Sequence, residues 1–303
     1  MNLRELEYLV AVDEERHFHR AAERCFVSQP TLSGQLKKLE EELGVQLVER
    51  STRQVVMTEV GRAIADQARK VLAESKAIKE IAQVFQDPFA GSLHVGLIPT
   101  VAPYLLPNIM PALMKNYPKL KFWLHEYQTS VLLEKLRKAE LELLILALPV
   151  ETDEFQELDL YLEPFQLAVP TGVDLADRPL ITLGDLSERE MLLLEEGHCL
   201  RGQALDVCFT AGATEKADFH ASSLETLRYM VGEGMGMTLM PELAVSRAGI
   251  TQDNLRYIRF AEPQPSRRIG MLFRKGSARE ESFATIAETI RTEIAPVIGT
   301  ASA

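Results

Sequence analysis

The first 58 residues carry apolar side chains at helical spacing in three consecutive segments. The apolar positions are Leu3, Leu6, Leu9 and Val10, then Phe18, Ala21, Ala22 and Cys25, and finally Leu32, Leu36, Leu39 and Leu43. In the third segment Ser28 can cap the helix, Pro30 suits its first turn and Gly44 ends it. Residues 45–57 then alternate in two short runs, as strands do. The pattern predicts a compact unit of three helices followed by two short strands.

Residues 58–87 form one long predicted helix. Thr58 can cap it, and heptad-like spacing is seen in Ile64, Ala68, Val71, Leu72, Ser75, Ile78, Ala82 and Phe85. A single helix of this length cannot bury such a stripe alone, so the pattern predicts pairing with a second chain. The alternative is that the stripe packs on the chain's own domain. Asp87-Pro88-Phe89-Ala90-Gly91 then ends the helix and marks a domain boundary.

From residue 92 onward, predicted strands alternate with predicted helices. We expect strands at residues 93–97, 120–125, 143–148, 167–169, 191–194, 237–240, 257–260 and 268–273. We expect helices at residues 105–114, 131–138, 224–231 and 280–294. This alternation is typical of an α/β fold, and we expect a mostly parallel sheet with a second unit beginning near Pro164. Ligands of such folds bind at the carboxyl ends of the strands, between the lobes.

Composition limits the classes of protein to which this chain can belong. The chain has 303 residues and a formal net charge of −11, so any contact with DNA must come from a local surface. No apolar stretch is long enough to span a bilayer, and the first residues lack an apolar signal region, so we expect a cytoplasmic protein with no membrane partner. Three cysteines in such a chain argue against a structural disulfide framework, and a bridge here would be transient and redox-linked.

Two of the three cysteines lie nine residues apart, at Cys199 and Cys208, with His198 and Arg201 flanking the first. Leu200, Ala204 and Cys208 follow i, i+4, i+8 spacing with Leu205 and Phe209 alongside, which predicts one apolar face of a short helix that starts just after Gly197. A helix would hold the two cysteines about 14 Å apart, whereas a disulfide needs Cα atoms within roughly 7 Å. If they bond, the segment must refold. Spacing alone favours the simpler interpretation of two unrelated cysteines in a core helix.

Other candidate chemistry is weak or depends on position in the fold. Gly232-Glu233-Gly234-Met235-Gly236 follows a predicted helix and precedes a strand, the reverse of a nucleotide-binding turn. No metal-ligand spacing and no nucleophile elbow occurs, so we expect no metal and no cofactor. Thr100 and Thr129 follow the first two strands of the α/β part, where two hydroxyls can bind a small polar ligand. Either is also explained as a cap or turn residue.

The order of parts in the first 61 residues carries a family resemblance. The motifs are Ala21-Ala22, Ser28-Gln29-Pro30-Thr31-Leu32-Ser33, Leu39-Glu40, Leu43-Gly44, Leu47, Arg50 and Thr58-Glu59-Val60-Gly61. They resemble the winged helix-turn-helix of LysR-type transcriptional regulators, although Gly34 stands where those usually carry a basic residue. The resemblance implies a dimerising linker helix and a two-lobed α/β effector domain like the periplasmic binding proteins. The domains would then be residues 1–58, 59–87, 88–163 with 265–303 (lobe I), and 164–264 (lobe II).

The outward face of the third helix is short, polar and neutral to basic, as a helix that reads a major groove requires. The predicted DNA-binding residues are Gln29, Pro30, Thr31, Ser33, Gln35, Lys37 and Lys38, with Arg50 and Arg53 in the wing. Residues 1–58 contain eight Lys and Arg against ten Asp and Glu, so charge alone does not distinguish this surface from a solvated helical hairpin. The family resemblance implies double-stranded promoter DNA, a homodimer formed through the linker helix, a homotetramer and RNA polymerase as partners.

Within that family, the effector half resembles the hydrogen peroxide sensors. The resemblance is carried by Gly96-Leu97-Ile98-Pro99-Thr100, Glu126-Tyr127-Gln128-Thr129, Glu196-Gly197-His198-Cys199-Leu200-Arg201, Phe209 and Ser223-Leu224-Glu225-Thr226-Leu227. It implies that Cys199 is peroxidatic, that Cys208 resolves it as a Cys199-Cys208 disulfide, and that Thr100, Thr129, His198 and Arg267 line the peroxide pocket. A cellular thiol reductant would reverse the bond. Such a chain reduces peroxide only stoichiometrically and is not an enzyme.

Two alternatives remain open at this point. A regulator of the same family that binds a non-redox metabolite would leave both thiols free after peroxide treatment. A thiol peroxidase would turn over with a reductant and show no salt-dependent binding to DNA.

Overall fold

The computed structural model describes residues 1–50, 55–84, 87–150, 152–246 and 254–299. The chain divides into two compact units, one of residues 1–82 with 137–140 and the other of residues 83–136 with 141–303. Each unit has a hydrophobic core of its own. Within the described ranges, no helix is both long and apolar enough to cross a membrane.

The first unit is three helices, a strand pair and a long helix. Its elements are α1 (Leu3–Glu15), α2 (Phe18–Arg24), α3 (Gln29–Leu43), β1 (Val48–Arg50), β2 (Val55–Met57) and α4 (Glu59–Val84). β1 and β2 are antiparallel, with Val48 opposite Met57. The stripe of α3 packs inward at Leu32, Leu36 and Leu39, which are fully buried in the core of this unit. Cys25 lies half-buried against that core.

α4 is anchored at its beginning and open along its length. The Thr58 hydroxyl accepts a hydrogen bond from the Gly61 amide (2.9 Å) and donates to the Gln46 carbonyl (2.8 Å). A Cβ at Gly61 would lie 2.1 Å from the Leu47 carbonyl oxygen, so only glycine allows this close approach. Further along, Val71 is 39% and Ile78 is 68% exposed, which leaves part of the predicted stripe uncovered in the single chain. The side chain of Ala82 and the whole of Phe85, also predicted in the stripe, lie outside the described residues.

The second unit alternates strands and helices. Its elements are β3 (Gly91–Leu97), α5 (Ala102–Asn116), β4 (Leu120–Glu126), α6 (Thr129–Arg137), β5 (Leu143–Leu148), β6 (Phe155–Pro170), β7 (Leu180–Ile181), β8 (Glu190–Leu194), α7 (Cys199–Ala211), β9 (Thr214–Ala221), α8 (Leu224–Gly232), β10 (Thr238–Pro241), α9 (Glu242–Ser246), β11 (Leu255–Phe260), β12 (Ser266–Arg274) and α10 (Glu280–Ile298). A short 3₁₀ turn at Leu183–Leu186 precedes β8.

The main sheet has the strand order β4-β3-β5-β12-β6-β11-β7, and β10 also pairs with β6. β3 is parallel to β4 and β5, but β12 is antiparallel to both β5 and β6, and β10 and β11 are antiparallel to β6. The prediction of a mostly parallel sheet is therefore wrong. The reason is that β6 and β12 lie side by side and run in opposite directions.

β6 changes partners part-way along its 16 residues. Residues 155–164 pair with β12, and residues 165–170 pair with β10 and β11. The prediction of a strand at residues 167–169 located only the end of this long element. A separate parallel pair, β8 and β9, carries α7 between its strands. β9 escaped prediction because Thr214–Ala221 is mostly polar and buries only its last residue, so it lacks apolar alternation.

Candidate functional site

Two predicted pocket hydroxyls lie at equivalent positions after neighbouring parallel strands. Leu97 of β3 is the register partner of Glu126 of β4, and Thr100 and Thr129 each follow these residues by three positions. The Tyr127 amide also donates to the Leu97 carbonyl (3.2 Å), which keeps the two strand ends together. Both threonines therefore lie at the carboxyl edge of the sheet, where α/β folds place their ligands.

Arg267 is buried beside Thr100. Its Nη1 donates to the Thr100 hydroxyl (3.0 Å) and its Nη2 to the Thr100 carbonyl (2.9 Å). Its Nε donates to Glu163 Oε2 (2.8 Å), and both charged side chains are 1% exposed. A fully buried guanidinium needs such a carboxylate, because an unpaired charge in this environment is strongly unfavourable. The structure thus joins Thr100, Arg267 and Glu163 in one hydrogen-bonded group.

Thr129 is the first residue of α6, and its neighbour Gln128 contacts the turn before Cys199. Gly197 has φ +93°, and a Cβ there would lie 2.5 Å from Gln128 Oε1, so the absence of a side chain lets the amide pack against the turn. The Thr129 hydroxyl is buried and has no hydrogen-bond partner among the described residues. A buried hydroxyl without a partner is a natural site for a small polar ligand.

Cys199 is the first residue of α7 and is half-buried, with its thiol free. His198 is the N-cap and is buried, but its ring makes no capping hydrogen bond. Burial lowers the pKa of His198, and Glu195, 4.0 Å away, opposes that shift only partly. The imidazole is therefore mostly neutral at neutral pH, and it contributes to the site as a hydrogen-bonding group.

Arg201 is committed to other groups. Its guanidinium pairs with Glu215 of β9 through both carboxylate oxygens, one contact being 2.8 Å, and donates to the Leu194 carbonyl at 3.0 Å. These contacts attach the first turn of α7 to both strands of the small sheet. Arg201 thus holds the reduced helix in place.

Cys208 is 3% exposed and lies on the inner face of α7 with Leu200, Ala204 and Ala211. Burial, with a smaller contribution from Glu215, raises the pKa of the Cys208 thiol to about 11. The helix predicted after Gly197 is confirmed, and nine residues of helix hold the two cysteines about 14 Å apart along the axis. The expectation that Phe209 lies alongside the apolar face is wrong: it is 90% exposed, because the helix turns it about 100° from Cys208 towards solvent.

Within the described ranges, no three His, Cys, Asp or Glu side chains come together as metal ligands would. Gly232 ends α8, and Gly234 and Gly236 lie in the turn between α8 and β10, as their order along the chain predicts.

The predicted recognition helix α3 presents a polar face. The exposed predicted residues are Gln29, Pro30, Thr31, Lys37 and Lys38, and the half-buried ones are Ser33 and Gln35. The Ser28 hydroxyl accepts from the Thr31 amide (3.3 Å) and caps the helix as predicted. This face is available for contact from solvent.

Both lysines of α3 have carboxylate neighbours. Lys37 is 3.6 Å from Glu41, and Lys38 is 3.5 Å from the buried Glu5 of α1. Each pair would have to exchange a carboxylate for a phosphate on DNA. Of the wing residues, Arg50 ends β1 with a side chain outside the described part, and Arg53 lies outside the described residues.

Two glycines near Cys199 give a matched stability test. Gly197→Ala is expected to lower the free energy of unfolding by about 1–3 kcal/mol, because φ +93° is strained for alanine and the methyl group displaces Gln128. Gly202→Ala, inside α7 with open space around an added Cβ, is expected to raise it by about 0.5–1 kcal/mol. Denaturant unfolding of the reduced chain measures both. Equal effects of the two substitutions would contradict the left-handed backbone conformation at Gly197 and its close contact with Gln128.

The buried Cys208 thiol also predicts a pH dependence. A pKa of about 11 in the folded chain lies above that of a free cysteine, so the unfolded chain releases this proton first as pH rises. The stabilising contribution is present below about pH 9 and is lost by about pH 11, roughly 3 kcal/mol in all. The measurement compares unfolding of the reduced chain with that of Cys208→Ala across this range. A constant difference between the two would contradict it.

Comparisons with known proteins match this architecture. Residues 3–62 match the family described as "Bacterial regulatory helix-turn-helix protein, lysR family", and residues 86–295 match the family described as "LysR substrate binding domain". The chain belongs to the LysR family of bacterial transcriptional regulators. It is 49% identical over 294 residues to the DNA-binding transcriptional dual regulator OxyR of Escherichia coli (strain K12), covering 97% of this chain and 96% of that protein.

Two solved structures of similar proteins belong to the same group of LysR-family regulators. A full-length OxyR variant from Pseudomonas aeruginosa superposes with a TM-score of 0.77 at 38% identity, covering 96% of this chain and 95% of that one. A mutant of OxyR from Corynebacterium glutamicum with hydrogen peroxide bound gives a TM-score of 0.68 at 34% identity, covering 98% of this chain and 94% of that one.

Residue-level reasoning missed the partners of the predicted site. Glu163 holds Arg267, Gln128 packs on Gly197, and Glu215 pairs with Arg201. A buried arginine requires a carboxylate, but the sequence offers 44 acidic residues and no means to choose among them. Gly197, shortly after a predicted strand, was the one local signal, because a glycine at such a position can indicate that another element packs closely against the backbone.

Proposed function

We propose that this LysR-family chain is a hydrogen peroxide-sensing transcriptional regulator. One observation carries the proposal: α7 holds two free cysteines, and the half-buried Cys199 begins the helix at the turn on which Gln128, the residue before Thr129, packs. Similarity to OxyR, including a form with hydrogen peroxide bound, supports the same function.

In the first step the Cys199 thiolate attacks one oxygen of hydrogen peroxide. A sulfur–oxygen bond forms and the oxygen–oxygen bond breaks, so sulfur loses two electrons, the peroxide oxygens gain them, and hydroxide leaves and takes up a proton. The product is a sulfenic acid. Thr100, Thr129, neutral His198 and Arg267 supply the hydrogen bonds that orient peroxide and stabilise the departing hydroxide.

In the second step Cys208 attacks the sulfenic sulfur, a disulfide forms and water leaves. Because α7 holds the cysteines too far apart, the segment 199–208 must leave its helical conformation and Cys208 must leave the core. The disulfide then stabilises a second conformation of the effector domain. A cellular thiol reductant reverses it, so each chain consumes one peroxide per cycle of reduction and acts as a sensor rather than an enzyme.

The DNA-binding half reads promoter DNA through α3, with β1, β2, Arg50 and Arg53 as a wing against phosphates. The exposed Val71 and Ile78 of α4 support pairing with the linker helix of a second chain. Two such dimers form a tetramer, and oxidation moves their recognition helices relative to one another on a pseudo-palindromic site where RNA polymerase is contacted. This activity places the chain in the bacterial cytoplasm.

The domain bounds follow the same scheme. We assign residues 1–58 to the winged helix-turn-helix, 59–87 to the linker, 88–163 and 265–303 to lobe I, and 164–264 to lobe II. Support comes from β6, whose partner changes from β12 to β10 and β11 after Pro164.

The test adds one equivalent of hydrogen peroxide to the reduced chain and measures intact mass and free thiols, beside salt-dependent binding to double-stranded promoter DNA. We expect loss of two hydrogen atoms, loss of the Cys199 and Cys208 thiols, and DNA binding before and after oxidation. Thiols that stay free at this dose would favour the metabolite-binding regulator. Sustained turnover with a reductant and no DNA binding would favour the thiol peroxidase.

A further inference from the structure

Thr100 is buried beside Arg267, and its hydrogen-bond roles are fixed by that arginine. The hydroxyl oxygen accepts from Arg267 Nη1 (3.0 Å), and the backbone carbonyl of the same residue accepts from Nη2 (2.9 Å). A hydroxyl that accepts from a cation still has its own hydrogen to donate, and it is a stronger donor for being polarised. Thr100 can therefore act as a donor towards a ligand.

Glu163 determines where the guanidinium lies. Its Oε2 accepts from Arg267 Nε (2.8 Å), and its Oε1 accepts from the Leu243 amide at the beginning of α9 (3.0 Å). The carboxylate is thus held on two sides and is 1% exposed, so it has one available orientation. It also balances the positive charge of Arg267, whose side chain is 1% exposed.

We propose that Glu163 is a positioning residue of the peroxide pocket: it fixes Arg267 so that Thr100 donates its hydrogen bond to the hydroxide that leaves when Cys199 attacks. The inference rests on the proposed function, and it assigns a role to a residue that touches neither peroxide nor sulfur. Donors that are fixed in advance stabilise a developing oxyanion far more than donors that must reorient.

The experiment compares two oxidants in rapid-mixing measurements of Cys199 oxidation by the reduced full-length chain. Hydrogen peroxide releases hydroxide, whereas the diazene oxidant diamide accepts the thiolate without a hydroxide leaving group. Glu163→Gln is expected to slow the reaction with peroxide roughly tenfold to a hundredfold and to leave the diamide reaction unchanged. Equal slowing with both oxidants would show a merely structural role and overturn the proposal, as would an unchanged peroxide rate.

The matched control is Glu142→Gln. Glu142 is also a buried carboxylate paired with a buried arginine, Arg279 (3.6 Å), but it precedes β5, whereas Arg267 lies near the other end of that strand. The separation is about 20 Å at 3.3 Å per residue. This variant also loses a buried ion pair and is expected to retain the wild-type peroxide rate. If Glu142→Gln slows peroxide as much as Glu163→Gln, the effect is general destabilisation and the proposal is overturned.

Two further variants keep the inference testable if Glu163→Gln folds poorly. Glu163→Asp retains the charge but cannot reach both Arg267 and Leu243, so its peroxide rate is expected to fall roughly tenfold. In an Arg267→Ala background, Glu163→Gln should change the peroxide rate no further, because its effect passes through Arg267. Additive slowing would overturn the proposal. If the unsubstituted chain reacts with peroxide no faster than free cysteine, the proposed function itself fails; a fast unsubstituted chain with an equally fast Glu163→Gln overturns this inference alone.

Discussion

Cys199→Ser is expected to bind promoter DNA like the unsubstituted chain and to lose its entire response to hydrogen peroxide. Cys199 begins α7 at the turn where Gln128 packs on Gly197, and its thiol is the group that we expect peroxide to oxidise. A serine hydroxyl at this position is neither ionised at neutral pH nor oxidised by peroxide. The measurement is the DNA footprint of the reduced and peroxide-treated chain, with intact mass recorded on the same samples. Neither should change on treatment.

The matched control is Cys25→Ser. Cys25 is also half-buried, but burial raises the pKa of its thiol and it packs against the core of the DNA-binding unit. This variant should retain both the mass change and the altered footprint. A persistent peroxide-dependent footprint in Cys199→Ser would show that another group senses peroxide.

Cys208→Ser is expected to stop at the first chemical step. Cys199 would gain one oxygen atom as sulfenic acid, which a dimedone adduct reports, and no disulfide would form. A serine at position 208 cannot form a disulfide with Cys199, so nothing draws this buried side chain out of the core. We therefore expect α7 to stay folded and the DNA footprint to remain that of the reduced chain.

The same experiment separates sensing from switching. A peroxide-dependent footprint in Cys208→Ser would mean that sulfenic acid alone drives the conformational change and that the disulfide is incidental. Leu200→Ala offers a structural comparison on the same helix face: it removes a buried side chain from α7 but keeps both thiols, so disulfide formation should survive.

Local sequence patterns correctly predicted the helices whose buried residues follow a regular apolar spacing. The stripe Leu32, Leu36 and Leu39, with Ser28 before it and Gly44 after it, predicted the position and inward face of α3. The helix after Gly197 was likewise predicted from apolar spacing, and its buried residues Leu200, Ala204 and Cys208 match the i, i+4, i+8 pattern. Short-range periodicity is sufficient where one face of a helix meets one core.

Sequence-based predictions were wrong or absent for features that depend on contacts between residues far apart in the chain. The direction of β12 depends on where the chain returns to pair with β5 and β6, and no local pattern encodes that. The exposure of Phe209 depends on which side of α7 faces the small sheet. The choice of Glu163 as the partner of Arg267 joins residues 104 positions apart, and only the adjacent positions of β6 and β12 bring them together.

We expect peroxide to convert a folded α7 with two free thiols into an unfolded segment closed by a Cys199-Cys208 disulfide. Hydrogen exchange of peptides spanning residues 199–211, measured by mass spectrometry before and after one equivalent of peroxide, tests it most directly. We expect slow exchange in the reduced chain and loss of that protection after oxidation, together with a mapped Cys199-Cys208 bond. Unchanged protection of these amides in a chain that has lost both thiols would contradict it.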